Sequence, residues 1–180
     1  MDVEELIRRY DAGERDFSGV DLEGADFTDT YLTNGGLIDV DLSGINLSNS
    51  NLGEAYMEGV NLSGANLRNT TMGQVCLEGA NLRGADLSAA RFSFASLGGA
   101  DLTNAKLVGA YFSGTDLIKI NLSGADFTGA EFDETLIENC IFCNTIMPDG
   151  SIRNDNFWTK TLQHLSEISL QSLSTSELFS

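Results

Sequence analysis

The feature that most constrains the fold is a large apolar residue at every fifth position from Phe17 to Met147. All twenty-seven positions in this register are Leu, Phe, Met or Ile. The residue two before each is small or β-branched in nearly every unit, and the residue two after it is most often Gly, Asn or Asp. Gly, Asn and Asp adopt left-handed backbone at the least steric cost. Each unit of five therefore reads small inward, polar outward, large inward, polar outward, turn.

A strict period of five excludes long flat strands and long helices. In a strand, alternate residues face opposite sides, so successive large residues would point in opposite directions. In a helix, five residues advance about 500° at 3.6 residues per turn, so the large residues would spiral around the surface. A corner at every fifth residue keeps all of them inside, which predicts a solenoid of short sides wound around its own core.

A slower period of twenty residues indicates how many sides make one coil. Residues stacked one coil apart share an environment, and therefore a chemistry. At this spacing one outward column is uniformly Asp or Asn, one inward column is uniformly Leu, and another inward column is aromatic. These columns are Asp21, Asp41, Asn61, Asn81, Asp101 and Asn121; Leu22, Leu42, Leu62, Leu82, Leu102 and Leu122; and Phe92, Phe112 and Phe132. The sequence predicts four sides per coil, with the Leu and Phe columns as structural core.

Units such as Ala65–Asn69, Ala85–Ala89 and Ala125–Gly129 resemble the repeats of the pentapeptide repeat family. The resemblance covers about residues 15–149. It implies an all-β solenoid, a right-handed parallel quadrilateral β-helix. At four units per coil, the twenty-seven units make about seven coils.

Residues 1–149 are predicted to form the β-helix, including an N-terminal helical cap at residues 2–12. Asp2 and Glu5 have the spacing of a capping box, and Gly13 is a typical helix stop. One face of this helix is apolar and is expected to lie over the first coil, since it carries Val3, Leu6, Ile7 and Tyr10.

Residues 150–180 are predicted to form a separate C-terminal cap or tail, because the register is lost after Met147 and Pro148–Gly150 marks a turn. Apolar residues then follow at roughly helical spacing: Phe157, Trp158, Leu162, Leu165 and Ile168. This pattern favours a helix followed by a partly disordered tail. A dimerisation element is the alternative, since the resemblance to DNA-mimicking family members implies dimers joined at their C-terminal ends. We therefore expect a monomer or a C-terminal homodimer.

Composition is typical of a single soluble domain. The chain of 180 residues is 42% hydrophobic, with one proline and no apolar run near the length of a membrane span, about 20 residues. The charged start at Met1–Glu5 argues against a secretory signal, so the expected location is the cytoplasm. Three cysteines, an odd number, favour no disulfide framework.

Candidate catalytic or metal-binding chemistry is sparse. Cys140 and Cys143 have the spacing of a redox pair or half a zinc site, yet the register places Cys140 inward and Cys143 outward. His164, the sole histidine, has no matched carboxylate or nucleophile nearby in sequence. The outward Asp residues share their position with Asn and lack a loop that would gather several oxygens around an ion. We therefore expect no enzyme, cofactor or metal site.

Charge restricts the possible partners. The net charge is −17, and the stretch from Asp16 to Glu138 holds 18 acidic against 5 basic residues. At about 4.8 Å per coil the rod is about 32 Å long, and B-DNA of that length carries about 19 phosphates. The rod thus approaches about two thirds of the charge density of duplex DNA. This excludes nucleic acid as a ligand and favours a protein partner with a basic or mixed surface.

The favoured hypothesis is a non-catalytic interaction or scaffold module that presents a rigid surface to a protein partner. The two more irregular sides supply its candidate contacts, since exposed aromatic residues are enriched at interfaces. Phe94 occupies a turn position where Gly or Asn is usual, which indicates either a contact or a wide corner. The other candidates are Tyr31, Arg91, Tyr111 and Glu131 in one column, and Tyr56 and Cys76 in the other.

The alternative hypothesis is an acidic DNA mimic that occupies the DNA-binding saddle of a protein such as DNA gyrase. It is similar to what the family's quinolone-resistance members are known for. Those members often carry loops that interrupt the coil, and the five-residue period shows no interruption here. The candidate phosphate surrogates are the outward acids Asp21, Asp41, Asp86, Asp101 and Asp126.

Overall fold

The computed structural model describes residues 1–23, 25, 37 and 40–154, and the backbone of residues 159–162. These residues form one helix and a series of very short strands, many of them reduced to single bridging residues. The named elements are α1 (Val3–Asp11), β1 (Arg91–Ser93), β2 (Tyr111–Ser113), β3 (Asp116–Ile118), β4 (Glu131–Asp133), β5 (Thr135–Glu138), β6 (Thr145–Ile146), β7 (Ile152–Arg153) and β8 (Thr159–Leu162).

From Asp41 onward, parallel pairing joins residues that are twenty positions apart. Asn61 bridges Asn81, which bridges Asp101. The same offset pairs β1 with β2 and β2 with β4. Four units of five therefore complete one coil, as the sequence predicts. We number the sides by their central inward residue in one coil: side 1 at Leu82, side 2 at Leu87, side 3 at Phe92 and side 4 at Leu97.

The corners between sides are made by left-handed residues. Every non-glycine residue with positive φ in the described chain occupies the fifth position of its unit, including Ala89 (φ 57) and Lys119 (φ 58). A hydrogen bond closes the turn, as where the Ala85 N–H donates to the Leu82 carbonyl at 3.1 Å. The corner is thus imposed by the repeat even where the side chain does not favour it.

The core consists of one large and one small side chain per unit. All six predicted core leucines are buried, from Leu22 to Leu122. On side 3 the rings of Phe92, Phe112 and Phe132 stack with centroids 4.9 and 5.0 Å apart and nearly parallel planes. Between coils, backbone hydrogen bonds run in both directions: Leu82 N–H donates to Asp101 at 2.8 Å, and Asp101 N–H donates to Ala80 at 2.9 Å.

The first coil corrects the predicted Asp column. Asp16, not Asp21, bridges Asp41, and Asp21 bridges Asn46, so the offset there is 25 residues. Farther along, the Leu37 N–H donates to the Tyr56 carbonyl, which is the ordinary spacing. Five extra residues therefore lie between Ala25 and Leu37, outside the described residues. The prediction that Asp21 and Leu22 belong to side 1 is wrong; both lie on side 2.

The five extra residues equal the length of one unit, which explains why the sequence does not reveal the change in offset from 25 to 20 residues. Five added residues keep the small, large and turn positions in phase, so the five-residue period continues while the columns shift by one side. The expectation of an uninterrupted coil falls at this place on residues 26–36, which lie outside the described residues. The handedness of the coil and the total of seven coils stay predictions.

The predicted N-terminal helix is confirmed. Helix α1 begins after Asp2, whose Oδ1 accepts the Glu5 backbone N–H at 2.8 Å. Leu6 is fully buried in the core, and Val3, Ile7 and Tyr10 are partly buried and pack against the same core. The helix thereby covers the open end of the first coil. It has only nine residues, and no helix among the described residues is both long and apolar enough to cross a bilayer.

At the C-terminal end, antiparallel strands pair with two of the four sides. Strand β8 pairs antiparallel with β5, and β7 pairs antiparallel with β6. The predicted C-terminal helix is therefore wrong at Thr159–Leu162, while Phe157, Trp158, Leu165 and Ile168 lie outside the described residues. Antiparallel pairing occupies backbone groups that an open strand edge would leave available for association. The five-residue register ends at Met147, so the chain beyond it does not add another side to the coil.

We expect insertion of one Ala after Gly84 to be far more damaging than insertion of a whole Ala-Asn-Leu-Ser-Gly unit at the same place. One residue turns every later inward side chain of the local coil outward, which removes several buried side chains at about 2–5 kcal/mol each. A whole unit keeps them inward and only moves the columns, as in the first coil. Thermal unfolding followed by circular dichroism measures both variants; equal melting temperatures would contradict the register.

Candidate protein-interaction surface

The five aspartates predicted as phosphate surrogates have a structural role on sides 1 and 2. In each, Oδ1 accepts the backbone N–H of the residue two positions later, at 2.9 Å from Ser43 to Asp41 and from Thr128 to Asp126. Where that residue is Ser or Thr, its hydroxyl often donates to the same oxygen, as from Ser88 to Asp86 at 2.6 Å. Such side chain to backbone bonds fix a turn locally. These carboxylates therefore shape the coil before they meet any partner.

Asn at the same position adds a bond between coils. Asn61 Nδ2 donates to Asp41 Oδ1 at 2.9 Å, and Asn81 Nδ2 donates to Asn61 Oδ1 at 2.9 Å. The Asn amide nitrogen donates to the neighbouring coil while the amide oxygen accepts from the backbone of its own turn, whereas a carboxylate can only accept. This dual capacity favours Asp or Asn at the position, which side 1 keeps from Asp41 to Asn121 before Ile141 ends the column.

Two of the five aspartates are also ion-paired. Arg68 Nη1 lies 3.2 Å from Asp86 Oδ2, and Arg83 Nη1 lies 2.9 Å from Asp101 Oδ2. Partial burial acts to raise the pKa of both carboxyls, but hydrogen bonds from Ser88 and Thr103 and from the arginines outweigh it and leave each pKa lowered. Their charge is thus partly neutralised, which weakens them as phosphate surrogates.

The freer acidic groups lie instead on sides 3 and 4. They are exposed, and none belongs to any of the ion pairs found among the described residues: Glu54, Glu58, Asp116, Glu131 and Glu134. Of these five acids, the sequence pattern predicts only Glu131 as a contact. The sequence does hold a signal that separates the two groups of acids. An outward Asp followed two residues later by Ser or Thr hydrogen-bonds within its own turn, while these five acids lack Ser or Thr at that position.

The structure brings together most of the predicted interaction residues. Arg91, Tyr111 and Glu131 are neighbours in register across β1, β2 and β4. The Arg91 guanidinium lies 5.9 Å from the centroid of the Tyr111 ring, within cation–π range. On side 4, Tyr56 is 49% exposed and bridges Cys76. Tyr31 lies outside the described residues.

Phe94 is the most exposed large apolar residue of the described chain, at 69%. It forms the corner between sides 3 and 4 with φ 56, a conformation that costs a bulky L-residue about 1–2 kcal/mol. Its ring lies on Gly114 in the next coil, where an added Cβ would come within 2.6 Å of the ring. We call Tyr56, Phe94 and Tyr111, with Glu54, Glu58, Asp116, Glu131 and Glu134, the acidic–aromatic edge.

The cysteines do not form a site. Cys140 is buried and Cys143 is exposed, so their side chains diverge as the register predicts. Burial raises the pKa of the Cys140 thiol, which disfavours the reactive thiolate. Within the part of the chain that the structure describes, no three His, Cys, Asp or Glu side chains converge on a possible metal position. His164 lies outside it.

These observations define a class of protein: a four-sided β-solenoid of five-residue units that presents charge and aromatic groups on its outer surface. The family model described as Pentapeptide repeats matches in eight copies, over residues 16–49, 36–74, 45–84, 68–104 and 105–144. The chain belongs to the pentapeptide repeat family.

Solved structures with similarity to this chain include three pentapeptide-type proteins. Alr5209 of Nostoc PCC 7120 is 32% identical, with 73% of this chain and 80% of that chain covered and a TM-score of 0.27. HetL, involved in heterocyst differentiation regulation in Nostoc sp. strain PCC 7120, is 23% identical, with 85% and 100% covered and a TM-score of 0.30. QnrB1, a plasmid-mediated fluoroquinolone resistance protein, is 26% identical, with 69% and 71% covered and a TM-score of 0.33. The search of curated proteins gives no match.

The lowered pKa values of Asp86 and Asp101 predict a pH dependence of stability. A carboxyl with a depressed folded pKa stabilises the fold above its ordinary pKa near 3.8, and this contribution is lost as pH falls through the folded value. The double variant Asp86→Asn/Asp101→Asn keeps the turn acceptors, so we expect it to lose about 1 kcal/mol or less at pH 7. Melting temperatures between pH 7 and pH 2.5 should converge with wild type at the acid end.

The matched control is Asp116→Asn, which removes an exposed carboxylate outside the ion pairs. A gap between wild type and the double variant that stays constant down to the lowest pH would contradict the assignment.

Proposed function

We propose that this protein is a non-catalytic protein-interaction module whose acidic–aromatic edge binds a protein partner with a basic surface. The observation that carries the proposal is the segregation of its surface groups. Carboxylates on sides 1 and 2 are engaged in turns, ladders and ion pairs, whereas the edge holds exposed carboxylates, the exposed rings of Tyr56 and Phe94, and the half-buried ring of Tyr111.

The solenoid supports this role by holding the edge rigid. Each coil is bonded to the next through the backbone, and the stacked Phe rings lie directly beneath the outward residues of side 3. A preorganised surface loses little conformational entropy on binding, which favours affinity. In this proposal residues 1–149 form the binding unit, and residues 150–180 form its C-terminal cap.

The same surface offers little to catalysis. The carboxylates of the edge are exposed to solvent, and Cys140 is buried with a raised pKa. A dense negative charge also opposes nucleic acid as the ligand. The proposal therefore includes no cofactor, metal or reaction, and its partner is a protein.

The test compares two triple variants with the same loss of charge. Asp116→Asn/Glu131→Gln/Glu134→Gln removes edge carboxylates, and Asp21→Asn/Asp41→Asn/Asp126→Asn removes turn carboxylates. Each immobilised protein is exposed to a lysate of the cells that produce it, and retained proteins are quantified by mass spectrometry at low and high salt. We expect the edge variant alone to lose the salt-sensitive partners, since screening acts within about 8–10 Å.

Equal retention by the two variants would contradict the edge as the binding surface. Retention of no protein above an uncoupled matrix by wild type would contradict the module itself.

A second candidate, a DNA mimic for a protein such as DNA gyrase, is favoured by the net charge of −17. It would rely on the edge carboxylates more than on Asp86 and Asp101, which are ion-paired. A DNA mimic needs carboxylates that can pair with the basic residues of its target, and a carboxylate already paired with an arginine would first have to break that ion pair.

The assay is DNA supercoiling by purified gyrase, titrated with wild type and with the same two triple variants. For a DNA mimic we expect inhibition at micromolar protein that the edge variant loses and that weakens as salt rises. Undiminished supercoiling with wild type at those concentrations would exclude gyrase as the target and leave the general module.

A further inference from the structure

Phe94 combines exposure with backbone strain at a position where the repeat ordinarily uses other residues. In the described chain the corner positions with positive φ are mostly Gly or Asn, which adopt this conformation at low cost. Phe94 is instead a large aromatic with φ 56 and 69% of its surface exposed. Its ring contributes little to the core, which the buried Phe92 already fills on this side. Corner geometry does not explain the choice of residue, and the contact between its ring and Gly114 still leaves most of its surface exposed.

The residues around Phe94 include acids on sides 3 and 4 and an exposed cation, Arg91. Its ring lies over Gly114, and Glu134 follows at the same corner one coil later. On side 3, Tyr111 and Glu131 stand in register below Arg91. On side 4, Asp116 bridges Ser96, two residues after Phe94. A complementary partner therefore needs an apolar stripe flanked on both sides by cations.

The spacing of the aromatic residues fits an α-helix that crosses the corner between sides 3 and 4 obliquely, since Phe94 lies two residues before the column of Tyr56. Tyr56 bridges Cys76 and Cys76 bridges Ser96, so Tyr56 and Phe94 lie about two coils apart. At about 4.8 Å per coil this separation is about 10 Å. A helix rises 1.5 Å per residue, so about seven residues, two turns, cover that distance and return to the same face.

We propose that Phe94 and Tyr56 form the anchor for a basic amphipathic helix of a partner protein, whose apolar stripe packs on the two rings and whose Lys and Arg residues face the acids of sides 3 and 4. This inference rests on the proposed function and specifies the partner's chemistry. Aromatic anchors within a polar rim commonly carry most of the affinity of an interface.

The probe is a synthetic helical peptide of about 18 residues, long enough for stable helix formation, with a Leu stripe flanked by Lys. Two companion peptides replace Lys by Gln or Leu by Ser. Binding of dye-labelled peptides to the full-length protein is followed by fluorescence anisotropy. We expect the Leu–Lys peptide to bind wild type at least tenfold more tightly than either companion.

Phe94→Gly is the decisive variant, because Gly is an ordinary corner residue in this chain and relieves the strain. We expect its melting temperature to equal or exceed that of wild type, while affinity for the Leu–Lys peptide falls at least tenfold. Ala89→Gly is the matched control: Ala89 also has positive φ, at a corner between sides 2 and 3, and should bind the peptide like wild type. The edge variant Asp116→Asn/Glu131→Gln/Glu134→Gln should bind more weakly and with less dependence on salt.

The outcomes separate this inference from the proposed function. Binding that falls in the edge variant but not in Phe94→Gly overturns the aromatic anchor and leaves the acidic module standing. A melting temperature of Phe94→Gly lower by more than about 4 °C assigns Phe94 a structural role and overturns the anchor. Failure of the Leu–Lys peptide to bind wild type overturns the helix as occupant. The lysate experiment then tests the proposed interaction module independently of the helix. Sedimentation that shows a self-association abolished by Phe94→Gly makes a second copy the occupant, which also overturns the inference.

Discussion

The left-handed corner at every fifth residue is the constraint on which the rest of the structure depends. It turns the chain so that each large residue points inward, and it lets every backbone segment pair with coils above and below. The repeat imposes this conformation even on residues such as Gln74 and Lys119. Ladder pairing and core burial along the whole stack stabilise corners that would be unfavourable in isolation. The side chain of a corner residue therefore takes no part in the core and can serve contacts at the surface.

The surface follows from the same geometry. The first outward position of sides 1 and 2 faces its own turn, so Asp and Asn there serve the backbone and link coils through their amides. Sides 3 and 4 have fewer such residues, and most of their acids remain exposed, together with Tyr56 and Phe94. The net charge describes how strongly the protein attracts basic partners, but the division between engaged and exposed carboxylates decides where they bind. Asp101 and Asp116 have the same chemistry and different roles for this reason.

Phe94 is a strained corner residue on the exposed edge of this surface. A stable stack can hold one unfavourable corner without losing its fold, since stability is spread over nearest-neighbour contacts. Residues kept in costly conformations tend to occur where a surface is used, and here the strained residue is also the most exposed apolar one. Gly114 beneath it leaves room for the ring to lie flat on the next coil. Position, exposure and the neighbouring acids all point to the same edge.

The sequence by itself determined the repeat, the four-sided coil, the buried Leu and Phe columns and the N-terminal cap, because each depends on local periodicity. It did not reveal the extra unit before Leu37, since five added residues leave that periodicity unchanged. Nor could it separate Asp86, bound by Arg68, from Glu134, which has no ion pair with any described residue, because their surroundings come from neighbouring coils. The strand at Thr159–Leu162 likewise arises from pairing with β5, a contact distant in sequence that overrode the helical spacing. Tertiary structure decided which side each outward residue occupies, and therefore where a partner can bind.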